Sequence, residues 1–498
     1  MTTRPQTPSR SAEGPENPWP ALWALIVGFF MILVDVSIVS IATPALMSDF
    51  RAPIEDVLWV TSAYLLAYAV PLLITGRLGD LVGPKKIYLA GLVVFTLSSL
   101  ACGLAGNIEQ LILARVAQGL GAALMTPQTM AVITRTFPVD RRGSAMALWG
   151  AVSGVAFLVG PLLGGLLIDS VGWEWIFFIN VPVGIAGFVA ALRLVPDLQT
   201  HAHSFDWVGV ALSAVGLFSL VFALQEGEKH DWGTIAGPIS IPLLLTVGLV
   251  LLAVFVWWQS RVQPEPLVPL GLFRDRNFSL ANVSITLMGL AINAMMFPML
   301  VWLQTVRGLS PTEAAFVLVP QSIASIVLAG PVGRLIDRLH PRILPTIGLG
   351  GFAVTLFALV ALMTPDSPMW LIVTVITFVG VTGALIWGPL ATTANRNLPV
   401  RLAGAGAGVY NTTRQVGSVI GSAAIAALMS ARLAAHLGPA GGEVTMGEGG
   451  AAGLESLPPG VVDGLSQAFA ESMLLPAAVL VVAALAAAGL ERMKHQRS

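Results

Sequence analysis

The chain has 498 residues, of which 55% are hydrophobic and only 11% charged, with a mean hydropathy of +0.81. Soluble domains carry roughly 25% charged residues, so this composition excludes an ordinary water-soluble protein. A formal net charge of −1 and a single cysteine, Cys102, give no basic surface for nucleic acid and exclude an internal disulfide or a multi-cysteine metal or iron–sulfur site.

Residues 1–20 are polar and Pro-rich and read as a cytoplasmic tail. The apolar run that follows is too long for a signal-peptide core, so it is expected to be a retained first span. Apolar segments then recur near 21–46, 56–76, 86–106, 110–134, 144–169, 174–193, 206–225, 237–258, 278–304, 313–334, 343–363, 369–394, 402–431 and 471–490. Each is long enough to cross about 30 Å of hydrocarbon as a helix. The expectation is an all-α polytopic membrane protein of about fourteen spans. Asn-X-Ser triplets at Asn277 and Asn282 fall at or inside these segments and read as chance matches.

Charge assigns the sides. Arg51, Lys229, Arg307 and Arg432 are the only basic residues in one set of loops, and Arg115 and Arg414 lie inside helices. All the other Lys and Arg fall in the tails and in the loops facing them, which predicts both termini in the cytoplasm.

"GRLGDLVGPKKI" from Gly76 is echoed by "GRLIDRLHPRI" from Gly333, with Gly76/Gly333, Arg77/Arg334, Leu78/Leu335, Asp80/Asp337 and Pro84/Pro341 at matching offsets. Both copies end the second helix of a six-helix half. The organisation expected is a tail (1–20), a six-helix bundle (21–193), a linker with two extra helices (194–277), a second six-helix bundle (278–490) and a tail (491–498). Parallel halves of this kind place a substrate site between them near the midplane. The outer loop at about 433–470 is rich in Gly and Ala. Its end, "DGLSQAFAES", can form a short surface helix, but such compositions rarely pack, and a solvated linker is the favoured reading.

Within the first span Asp35 stands alone in "ILVDVSIV". A charge at the centre of a membrane helix costs about 2.5–3.5 kcal/mol on insertion scales, so it is functional by default. Asp35 is 14 residues beyond Ala21, roughly 21 Å along an outward-running helix. Arg115 is five residues into an inward-running one, roughly 8 Å from its outer end. In a core about 30 Å thick these depths coincide, and the two side chains meet if their helices are neighbours.

Other motifs have physical readings of their own. Gly76, Gly79 and Gly83 permit a tight cytoplasmic turn, and Asp80 is suited to accept bonds from a helix N-terminus or to pair with an arginine, latching the halves. Gly150, Gly154, Gly160, Gly164 and Gly165 with Pro161 give the fifth helix a smooth, bendable face. Asn411, Arg414, Gln415, Ser418 and Ser422 share one face of the thirteenth, with Gly404, Gly408, Gly417 and Gly421 as close-packing positions. That polar stripe lines either a cavity or a helix-to-helix seam. There is no G-x-x-x-x-G-K-[ST] loop and no H-E-x-x-H, and "GAGAG" opens a membrane helix rather than following a strand. Nothing enzymatic is expected, nor any cofactor or metal.

"GRLGDLVGPKK", "LARVAQGLGAA" (113–123), "GAVSGVAFLVGPLLGG" (150–165), "WEWIFFINVPVG" (173–184) and "LVDVSIVSIATP" (33–44) occur at successive helices. Together they resemble the major facilitator superfamily, specifically its fourteen-span drug:proton antiporter branch. Leu81 and Pro84 depart from the usual basic residues of the loop motif, and Glu174 stands where an arginine is usual. The resemblance implies two six-helix bundles plus two central helices, and a proton-coupled antiporter exporting lipophilic small molecules by alternating access. Neutral or monocationic compounds are expected, because Asp35 is the only acidic residue well inside a span. The other readings are a dedicated exporter of one metabolite or lipid, an uptake symporter, and a non-transporting membrane receptor or enzyme.

Proton-coupling candidates are Asp35, Arg115 and Arg414. Substrate-binding candidates are Tyr64, Tyr68, Met125, Asn293, Met296, Gln321, Trp387, Tyr410 and Asn411. Gating candidates are Gly76, Asp80, Gly83, Gly154, Gly160, Pro161, Gly164, Gly165 and Asp337. The partners expected are the small-molecule substrate, protons and the inner or plasma membrane bilayer, with no nucleic acid and a monomeric chain.

Overall fold

A computed structural model describes residues 17–39, 42–52, 54–138, 141–198, 200, 206–227, 229–262, 266–399, 402–437 and 459–491. The two tails therefore lie largely outside the described residues. The chain is built from helices whose ends are marked by local chemistry. Asn107, Asp206, Ser240 and Asp275 each accept a backbone N–H of the first turn, and Ser310 forms a reciprocal capping box with Glu313. Gly83 and Gly172 take φ of +106° and +105° between consecutive helices, a conformation open to glycine at little cost.

The helices are α1 (Trp19–Val39), α2 (Ile54–Ala69 with Leu72–Val82), α3 (Pro84–Gly103), α4 (Ile108–Thr136) and α5 (Arg142–Val171). Then come α6 (Trp175–Leu194), α7 (Trp207–Glu226), α8 (Ile241–Arg261), α9 (Arg276–Thr305), α10 (Thr312–Ile336) and α11 (Ile343–Leu362). The last three are α12 (Met369–Arg396), α13 (Ala403–Leu437) and α14 (Gly460–Ala488). Among the described residues twelve helices are long and apolar enough to cross a bilayer, and the bent α2 makes a thirteenth. α5, with 30 residues, spans roughly 45 Å and fills the fourteenth position. Large apolar side chains such as Leu97, Leu113, Leu166, Trp207 and Leu485 are exposed on the outside of the bundle, as a lipid-facing surface requires. This is a multi-pass membrane protein.

Helix pairing repeats between the halves. In the first, α1 packs on α5 and α6, α4 on α2 and α3, and α3 on α6. In the second, α9 packs on α13 and α14, α12 on α10 and α11, and α11 on α14. The halves join by two equivalent seams, α2 against α13 and α5 against α10. The inserted helices α7 and α8 pack on each other, and α7 also touches α2 and α13. A two-stranded hairpin, β1 (Thr234–Ala236) and β2 (Ile239–Ser240), closes the turn between them.

Two expectations change. The first span ends at Val39, and Thr43–Phe50 is a separate short helix. The favoured reading of 433–470 as a solvated linker is corrected at both ends, while residues 438–458 lie outside the described residues. α13 runs on to Leu437, and Pro459–Ser472 is a helix leading into the last span. It packs because Leu465, Ala468 and Phe469 form a buried apolar face, and because Ser466 is satisfied on both sides. Ser466 Oγ accepts the Trp302 indole N–H at 2.9 Å and donates to the Met363 carbonyl at 2.8 Å.

Candidate functional site

Polar side chains buried in an apolar bundle fall into three groups, and the helix pairing explains each. The first lies inside the first half, where α1, α4 and α6 converge. Asp35 and Arg115 are both fully buried and form a direct ion pair, so the depth match read from the sequence corresponds to contact. Gln118 Nε2 donates to Asp35 Oδ1 at 2.8 Å, and Asn180 Nδ2 does so at 3.3 Å. Arg115 also donates to Gln118 Oε1 at 2.8 Å and to the Val60 carbonyl at 3.0 Å. The Tyr64 ring lies 4.0 Å from the guanidinium carbon, a cation–π arrangement. A buried charge pair is tolerable only when its remaining lone pairs and protons are hydrogen-bonded, and this network largely supplies those partners. Sequence reasoning missed Gln118, Asn180 and Ser99, whose Oγ accepts from Asn180 at 3.0 Å. A signal was present for two of them, since both lie inside motifs already singled out: Gln118 three residues after Arg115, and Asn180 in "WEWIFFINVPVG".

The second group seals the halves at the end where α1 begins and α14 finishes. Asp80 is fully buried and accepts the Gly404 and Ala405 N–H groups, each at 3.0 Å, at the N-terminus of α13. It also pairs with Arg135, which the sequence reading missed, and lies 3.9 Å from Arg77. This is a carboxylate on the positive end of a helix, reinforced by a second charge. A Cβ on Gly76 would lie 2.6 Å from the Gly404 carbonyl oxygen, so glycine is required for the backbones to cross this closely. Asp337 is placed equivalently in the second half and accepts the Gly143 N–H at 3.2 Å, in the first turn of α5.

The fifth-helix glycines divide. Cβ positions on Gly160 and Gly164 would collide with Ser37 and Ile38 of α1, and one on Gly154 would meet Ser325 at 3.4 Å, whereas Gly165 faces open space. Gly165 therefore has no close approach to gate. Pro161 lies within α5, but its side chain is outside the described residues.

The third group is a cavity of about 390 Å³ between the halves, beyond the sealed end. Tyr68, Asn293, Trp387 and Arg414 line it, together with Gln415, Ser418 and Ser422 of the α13 stripe. Arg414 is its only charged side chain and has no carboxylate partner among the described residues, and it is separate from the Asp35–Arg115 pair. The remaining substrate candidates do not converge here. Tyr64 covers Arg115; Met125 and Tyr410 are fully buried in packed core; and Asn411 donates to the Ala407 carbonyl at 2.9 Å. Met296 packs at the edge of the core of the second half, and Gln321 lines a smaller neighbouring cavity at the α5–α10 seam. Sequence reasoning missed Ser62, Leu224, Gln225 and Trp232 in the larger cavity, the last three from the inserted pair and its turn. Nothing in their spacing announces this, because the position of α7 is set by tertiary packing.

Comparison with known proteins agrees with this architecture. The profile described as Major Facilitator Superfamily matches residues 25–422. An MFS-type transporter of Mycobacterium tuberculosis is 49% identical over 472 residues, 95% of this chain and 80% of that protein. The tetracenomycin C resistance and export protein of Streptomyces glaucescens is 35% identical over 431 residues, 86% of this chain and 78% of its own. Among solved structures, the proton:xylose symporter XylE superposes with a TM-score of 0.63 at 13% identity, covering 94% of each chain, a likeness of fold. These are transporters rather than enzymes. Two halves with repeated helix pairing, sealed at one end over a central cavity, are the fold of that family, and the chain belongs to the Major Facilitator Superfamily.

Proposed function

We propose that the protein is a proton-coupled antiporter that exports lipophilic small molecules across the inner or plasma membrane by alternating access, with both termini in the cytoplasm. Residues 21–193 and 278–490 are the moving bundles, and 194–277 is the insert. Similarity to a protein named for resistance and export supports the export direction. The cavity is mainly apolar, and its one charged group is Arg414, which favours neutral compounds ahead of monocations and disfavours dications most.

The observation that carries the coupling is Asp35. Among the described residues its side-chain partners, Arg115, Gln118 and Asn180, all donate to it. A proton on Asp35 would leave the fully buried Arg115 guanidinium without its counter-charge. Protonation must therefore be accompanied by rearrangement or hydration. α1 carries Asp35 toward α4 and α6, while Ile32, Leu33 and Val36 of the same helix line the cavity. A change at the ion pair is thereby transmitted to the substrate site by one rigid element.

The test is Asp35→Asn in everted membrane vesicles. The variant matches the carboxyl in size but is permanently neutral, so it should be held in the arrangement that protonated Asp35 adopts, still bind compound and lose compound-induced proton movement. Proton exchange at the parental rate would make Asp35 structural. Robust proton-driven export of a rigid dication would overturn the charge preference.

A further inference from the structure

The two seams between the halves differ at the end away from the latches. α5 stays in contact with α10 there, including its first turns around Pro311–Val317. α2 does not follow α13: its two segments meet at a 46° bend, and the outer one leans away. The gap is filled by α7. Val221 packs with Leu66 of α2 and Val419 of α13 in one small core, and Trp59 of α2 contacts the Phe222 ring at 5.7 Å.

From this the geometry points to the insert as the missing wall of the substrate cavity, with Trp232 and Gln225 as residues that contact the transported compound. The inference rests on the central cavity being the substrate site. Two observations single out Trp232. It lines the cavity although it belongs to the turn after α7 rather than to either bundle. The turn that carries it is also strained at this position. Asp231 and Trp232 are consecutive non-glycine residues with φ of +48° and +56°, and such strain persists only where surrounding structure enforces it. The enforcing contacts are short-range: Trp232 N–H donates to the Gly227 carbonyl at 2.7 Å, and Gly233 N–H to the His230 carbonyl at 2.8 Å. The indole lies over Gly227, where a Cβ would come within 2.8 Å of the ring. The turn hydrogen bond and the bare Gly227 surface thus hold the indole at the cavity wall. Gln225, in the last turn of α7, adds an amide able to donate and accept. A flat aromatic face with one neutral hydrogen-bonding group suits a planar, neutral, aromatic compound.

The test uses radiolabelled chloramphenicol, a neutral nitroaryl compound, binding to the purified full-length protein. Trp232→Ala should weaken binding roughly tenfold and Trp232→Phe by less, as loss and partial retention of a stacking face imply. Gly227→Ala keeps the indole but displaces it, and should also weaken binding several-fold, roughly as an imperfect stacking geometry would. Trp257→Ala, on the lipid-exposed side of α8, should bind as the parent does, and thermal unfolding should show all variants folded. Trp387→Ala and Asn293→Ala, in the cavity walls of the second half, separate the two readings. If they lose binding while the Trp232 and Gly227 variants stay within about twofold of the parent, the insert is not part of the site. If every variant binds like the parent, or the parent does not bind, the cavity reading fails as well.

Discussion

The seams α2–α13 and α5–α10 are built from equivalent helices of the two halves, yet they are sealed to different degrees. At the first, Asp80 is fully buried on two backbone N–H groups beside Arg135 and Arg77. At the second, Asp337 is partly exposed rather than buried, and the Gly143 N–H at 3.2 Å is one of its partners. The strongly latched seam is also the one that splays at its far end, where α7 fills the gap. A firm latch at one end of a bent helix and a cavity beyond the bend are complementary. Close contact of the backbones at one end of the seam leaves room for the cavity at the other. The halves differ in charge as well. The first holds the Asp35–Arg115 pair, while the buried core of α9, α11 and α12 is apolar apart from a few amides and hydroxyls.

The largest effect that would test this contrast is at the backbone crossing. Gly76→Leu must push α2 off α13, since even a Cβ sits 2.6 Å from the Gly404 carbonyl, and transport should fall below about a hundredth of the parental rate, as expected for overpacking of about 3 kcal/mol. Gly154→Ala at the other seam meets Ser325 at an ordinary 3.4 Å and should retain transport, whereas Gly154→Leu should abolish it. Export assays on vesicles with matched protein content separate these outcomes. If Gly76→Leu transports normally, the crossing is not required to close.

Next in size is the latch itself. Asp80→Asn leaves Arg135 and Arg77 buried around a neutral amide, a loss of about 3–5 kcal/mol. Asp337→Asn, on a partly exposed site, should cost about 1 kcal/mol. The melting temperature of the purified protein should therefore drop several times further for Asp80→Asn. Equal drops would show the two latches to be equivalent.

The smallest effect concerns the insert. Burial raises the pKa of Asp206 at the start of α7, but hydrogen bonds from Trp258, the Gly209 N–H, Gln259 and the Leu267 N–H outweigh it and hold the carboxyl below its usual range. A lowered folded pKa means that the stabilisation is fully present above the unfolded value of about 3.9 and is lost as pH falls through the folded one. Asp206→Asn should thus lower the melting temperature slightly at pH 7, and the difference from the parent should shrink below about pH 4. A difference that persists unchanged at low pH would mean that the carboxylate charge is irrelevant to tying α7 to α8.

What could be read in the chain itself was what depends on one-dimensional pattern. Apolar run length, the Lys and Arg alternation and the Gly76/Gly333 repeat indicate the spans and the twofold organisation, because a bilayer imposes a fixed thickness and sidedness on every helix. Helix rise alone predicted that Asp35 and Arg115 share a depth, and Asp80 was legible as a latch because an acid beside glycines at a helix end has few other uses. Tertiary structure decided which depth-matched side chains meet. It turned Tyr64 onto Arg115, moved Tyr410 and Asn411 out of the cavity, and brought Gln118 and Asn180 onto Asp35. It also packed Pro459–Ser472 against α9 and α13, through Trp302 and an apolar face that composition alone did not reveal. Above all it set α7 into the gap left by bent α2, bringing Trp232 to the cavity. Rotation of a helix about its axis and its choice of neighbour are fixed by side-chain packing across helices distant in sequence, and neither is encoded in the periodicity of any one segment.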